Sequence, residues 1–139
     1  MDIGTEVTGR RWELTSILLE GRSVQGVVGA GAYMVLGPDM RVHGRGGCNR
    51  FFGAYFMDGD ALSFGNIAST RMYCFETMHV EDAFFQAMGL ITSRNLEESV
   101  LELRSSDGST ILRFEEYDEV VSDMPSPTEK DDQPPSNVE

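Results

Sequence analysis

Along most of this chain apolar and polar positions alternate with a period of two. In Arg11-Trp12-Glu13-Leu14-Thr15-Ser16, Trp12 and Leu14 fall on one face and Arg11, Glu13 and Thr15 on the other, which predicts a strand with one dry side. Ala32 to Leu36 is short and apolar. Gly37-Pro38-Asp39 then turns the chain into Met40-Arg41-Val42-His43-Gly44, with Met40 and Val42 expected on one side and Arg41 and His43 on the other. Phe52, Ala54 and Phe56 alternate with Gly53, Tyr55 and Met57, and Asp58-Gly59-Asp60 reverses the chain into a strand carrying Leu62 and Phe64. One segment changes period: Val80, Phe84, Ala87, Met88 and Ile91 recur at three- and four-residue intervals, predicting one amphipathic helix over roughly residues 77–91. Alternation returns with Leu101 and Leu103, the turn at 105–109, and Leu112 and Phe114. About seven to eight short strands with one helix before the last hairpin predict a mainly β (α+β) domain, a small antiparallel barrel with one helix as a plug.

The length of 139 residues suits one domain able to bury its own core. Residues 1–9 read as a lead-in, 10–120 as the domain and 121–139 as an acidic, Pro-rich, disordered tail that holds four of the five prolines and little to bury. The formal charge is -12 and there is a single lysine, so the surface repels phosphate backbones and anionic lipid, and nucleic acid is not expected as a partner. No run of 18 apolar residues predicts a membrane span, and the amino terminus shows no export signal, so a cytoplasmic monomer is expected. The glycine-rich stretch 24–31 lacks the order that phosphate cradling requires and reads as a flexible loop.

Two stretches are too particular for generic strand text: 41–55, Arg-Val-His-Gly-Arg-Gly-Gly-Cys-Asn-Arg-Phe-Phe-Gly-Ala-Tyr, and 67–74, Ile-Ala-Ser-Thr-Arg-Met-Tyr-Cys. They resemble the signature of the META domain, the HslJ-like heat-shock family: Cys48, Asn49, Arg50, Phe51, Gly53 and Tyr55 carry its first element, Thr70, Arg71, Met72 and Cys74 its second, and Glu81 lies in the helix that follows. The resemblance covers about residues 10–117. It implies a lipocalin-like barrel with one helix, no known catalysis, no cofactor, and links to stress tolerance or virulence. It also suggests that Cys48 and Cys74 lie near each other, as a reduced pair in cytosol or a disulfide in an oxidising compartment.

The motif residues carry a physical reading of their own. Glycines 44, 46 and 47 permit positive φ or close backbone approach, and Asn49 is a type that bonds local backbone in bulges and tight turns. Arg50 and Arg71 are expected to fork onto a carboxylate such as Glu81, holding helix to sheet; the competing reading is a groove that binds an anion. His43, Cys48, Cys74 and His79 supply four zinc-ligand types, but their five-residue spacings are wide for a zinc ribbon, and no metal is expected. Neither histidine has an evident orienting partner, so a thiol nucleophile is not supported and the chain is not read as an enzyme. A non-enzymatic binding or interaction module with a protein partner is therefore the leading reading. The alternative is a carrier of a lipid or other apolar ligand, in a cavity lined by Met34, Met40, Met57, Met72, Met78 and Met88; a Cys/His metal-binding protein is a remote third.

Overall fold

The computed structural model describes residues 7–117; most of the lead-in and all of the tail expected at 121–139 lie outside the described residues. The chain runs β1 (Arg11–Leu19), β2 (Arg22–Ser23), β3 (Tyr33–Leu36), β4 (Arg41–Arg45), β5 (Arg50–Asp58), β6 (Ala61–Ser69), α1 (Met78–Met88), β7 (Ile91–Glu97), β8 (Val100–Ser105) and β9 (Ile111–Glu116). Every neighbouring strand pair is antiparallel, and β9 returns to pair with β1. Eight strands thus close a barrel, with the two-residue β2 folded back on the end of β1. Closure removes the free edges that an open sheet would expose.

Alternation decides which side chains fill the interior. Trp12, Met34, Leu36, Phe51, Leu62, Leu101, Leu103, Leu112 and Phe114 all point inward and are essentially fully buried. From the helix, Phe84 meets Phe51 edge-on at 5.6 Å between ring centroids and lies 6.0 Å from Phe114, so α1 plugs the barrel. Each such side chain contributes about 1.5–3 kcal/mol on burial. The indole N–H of Trp12 donates to the Val7 carbonyl at 2.9 Å, satisfying the one polar atom of a buried ring.

Three expectations need correction. Met40 does not share the inward face of Val42: it sits in the turn at φ 66°, half exposed, because the chain reverses through Gly37–Met40 and β4 begins at Arg41. The helix stops at Met88, and Ile91, assigned to its stripe by spacing, opens a strand instead. Gly89 follows Met88 and its N–H closes onto Gln86 O, after which the polar text Ile91–Glu97 pairs with β8 along six register positions. The barrel therefore ends in three strands after the helix. The six methionines do not share one interior lining either: Met34 and Met88 are core, whereas Met40 and Met72 are exposed.

Candidate functional site

The family-like segments meet at one end of the barrel, where the β4–β5 turn faces the start of α1. Gly46 has no room for a side chain, since a Cβ there would stand 2.9 Å from the Glu81 Oε1 and 2.8 Å from the Phe85 ring, and Gly47 adopts φ +115°. This close approach lets the Glu81 carboxylate reach the turn. Its Oε1 accepts the backbone N–H of Cys48 (3.1 Å) and of Asn49 (2.6 Å), and its Oε2 accepts Asn49 Nδ2 (2.7 Å). Asn49 in turn donates from Nδ2 to Met72 O (2.9 Å) and accepts at Oδ1 from the Thr70 hydroxyl (2.9 Å) and the Met72 N–H (2.6 Å). With Asn49 at 1% and Glu81 at 2% exposure, two buried polar groups are satisfied by each other and by backbone. A disulfide joins Cys48 to Cys74, and the Thr77 hydroxyl, at the helix start, donates to Gly47 O (2.9 Å). Turn, β6–α1 connection and helix are thus pinned together.

On this frame sits an open groove of about 280 Å³, lined among others by Thr70, Arg71, Tyr73, Met78, Asp82 and Phe85, with Asn49 and Glu81 at its base. Around it the connection 70–77 turns apolar side chains outward: Met72 is 58% exposed, Tyr73 74% and Phe75 83%. Exposed apolar groups gathered in one place are unusual on a monomer and mark contact surfaces.

Glu81 does not pair with either arginine, because backbone N–H groups and Asn49 occupy its oxygens. Arg50 points out from β5 and Arg71 out beside the groove, both exposed and without an ion pair among the described residues. Phe51 packs inward against Phe84 and Phe85. Gly53 lies under β6, where a Cβ would come 2.5 Å from Asn66 O. Tyr55 is buried with its hydroxyl donating to Gly37 O, and burial, then the charge of Asp39, pushes its pKa up. The set proposed for zinc does not assemble: both sulfurs are in the disulfide, His43 faces outward from β4, and the His79 ring lies 2.8 Å from Gln25 O. No described histidine stands beside a free thiol. Tyr73, Phe75, Asp82 and Phe85 are not among the site residues that the sequence suggests; the aromatic pair flanking Cys74 is the available signal.

The sequence matches the META domain profile over residues 5–118. The chain belongs to the META domain family. No curated protein matches it. Among solved structures, this META domain is similar to a protein from Burkholderia xenovorans, determined by NMR, at 25% identity and a TM-score of 0.65, over 81% of this chain and 85% of that one. It shares its fold with a duf4847 family protein from Bacteroides vulgatus, at 12% identity and a TM-score of 0.63, covering 82% and 96%. A further NMR structure matches at 20% identity and a TM-score of 0.58, covering 82% and 95%.

Proposed function

We propose that this META domain is a non-enzymatic binding module whose working surface is the groove between the β6–α1 connection and α1. It takes an apolar side chain of a protein partner against Tyr73 and Met78, with a neighbouring carboxylate on Arg71. The observation that carries this reading is the pairing of opposites in residues 72–75: Tyr73 and Phe75 stand in solvent, while the Met72 backbone before them and Cys74 between them are fixed to the buried turn. A rigid frame that holds aromatic groups out of the core lowers the entropy cost of a contact. Stress tolerance or virulence would then run through the partner. The carrier reading ranks below it, since the methionines expected to line its cavity are divided between core and surface.

A displayed library of linear peptides, selected on the full chain, should enrich sequences joining an aromatic or aliphatic residue to an acid. Combined R71A, Y73S and F75S should weaken such binding by at least about tenfold, roughly 1.4 kcal/mol, at an unchanged melting temperature. Enrichment indifferent to these substitutions would refute the site, and stoichiometric lipid recovered by native mass spectrometry would favour the carrier.

A further inference from the structure

The outer wall of β3, β4 and β5 carries a charge opposite to that of the chain. Register sets its rows: Tyr33 beside Arg45 beside Arg50, then Val35 beside His43 beside Phe52, then Arg41 beside Ala54. All of these on β4 and β5 are exposed, and no carboxylate stands in the rows on β3–β5; Glu13 of β1, beside Tyr33, is held by Arg11. Arg10, Arg11, Arg104 and Arg113 each hold a glutamate; among the described residues Arg41, Arg45 and Arg50 hold none. A chain of net charge -12 thus presents a cationic, aromatic island, and two facts bear on what would complement it.

The first is charge: residues 118–139 carry seven acids and one lysine. The second is the exit point. The Tyr117 N–H donates to Arg11 O at 2.9 Å, and the Arg11 guanidinium lies 5.0 Å from the Tyr117 ring centroid and 3.9 Å from that of Tyr33. Tyr33, flanked on β1 by the Arg11-paired Glu13, begins the part of the row that continues into Arg45 and Arg50. Three strand steps separate β1 from β5, about 15 Å, whereas a chain of that length reaches roughly 70 Å. Tethering also gives the acids an effective concentration on the order of millimolar, which a free acidic partner rarely matches.

We propose that the acidic segment 118–139 docks across the outer wall of β3–β5, its carboxylates on Arg41, Arg45 and Arg50. Exposed pairs are individually weak and screened, so the docking is reversible and salt-dependent.

The test compares backbone amide NMR spectra of the full chain with those of a full chain carrying D118N, E119Q, D123N, E129Q, D131N and D132N. At about 0.1 M salt the amides of Arg41, His43, Arg45, Arg50 and Phe52 should differ between the two. The difference should collapse near 1 M, where the Debye length falls from about 10 Å to about 3 Å. From the other side, R45Q/R50Q in the otherwise native chain should move the amides of residues 118–132 toward their positions in the neutralised chain. Identical wall amides at low salt would overturn the proposal, as would changes confined to β7–β9. A difference that grows with protein concentration would assign the contact to a second copy and overturn it equally.

Discussion

Replacing Glu81 by alanine tests the frame beneath the groove. The substitution deletes the acceptor for the Cys48 and Asn49 backbone N–H groups and for one of two bonds from Asn49 Nδ2, while that amide keeps Met72 O. Two backbone donors are left unpaired where Asn49 and Cys48 are each 1% exposed. An orphaned buried donor costs about 1–3 kcal/mol, and the lost bonds are charge-assisted, which raises their worth. Against this, alanine removes a carboxylate buried without a cation beside it, which offsets part of the loss. The balance is a destabilisation of about 3–4 kcal/mol. For a domain of this size, that lowers the melting temperature by at least about 10 °C. The assay is urea and thermal unfolding followed by far-UV circular dichroism, with Glu81→Gln as the graded control. Glutamine keeps one acceptor oxygen but turns an NH2 onto Asn49 Nδ2, so its loss should be intermediate. In a double-mutant cycle with Asn49→Ala the two losses should be strongly non-additive. Glu81→Ala within about 0.5 kcal/mol of the parent would show that the network does not support the turn.

Trp12→Ala should cost about 3–5 kcal/mol, and the native emission maximum should be that of a buried indole; emission like free indole would contradict the packing. Reducing the Cys48–Cys74 bond, which spans 26 residues, should lower stability by about 3–4 kcal/mol by chain entropy, read as a shift of the urea midpoint with reductant; an unmoved midpoint would refute this. Hydrogen bonds from Arg113 and then Arg104 hold the Glu102 carboxyl below its ordinary value of 4.5, so its contribution is present above that pH and lost as pH falls through the lower, folded-state value. Stability measured from pH 5 downward should therefore decline, and Glu102→Gln should flatten that decline; parallel curves would exclude Glu102 as a cause.

Inward positions that were both apolar and in phase were legible: Trp12 and Leu14, Leu101 and Leu103, Leu112 and Phe114 fell on the expected faces. Strand β7 was not, for two physical reasons. A bulge between Ile91 and Ser93 changes the parity of its register, and Arg94 occupies a buried position, with its Nε donating to Gly59 O at 3.1 Å. On β5 alternation was clear but direction was not, because both faces are apolar. Phe51 and Tyr55 go inside while Phe52 and Phe56 stand outside, more than half exposed. At the site, residue types pointed to Asn49 as a turn-maker. They did not reveal that Asn49 would claim Glu81 before either arginine could, since that outcome depends on how closely Gly46 lets helix and turn approach.

The pairing of β9 with β1 also bears on how the molecule is made. Trp12 meets Glu116 and Leu18 meets Ile111, so closure joins strands about a hundred residues apart, and contacts of such separation slow folding. Until β9 is in place, β1 and β8 each present a row of unpaired backbone groups, the kind of template on which chains join one another. Among the described strands, synthesis supplies β9 last. The interval between the emergence of β8 and the docking of β9 is when this protein is most exposed to aggregation, and substitutions at Ile111, Leu112 or Phe114 should lower soluble yield before they alter anything at the groove.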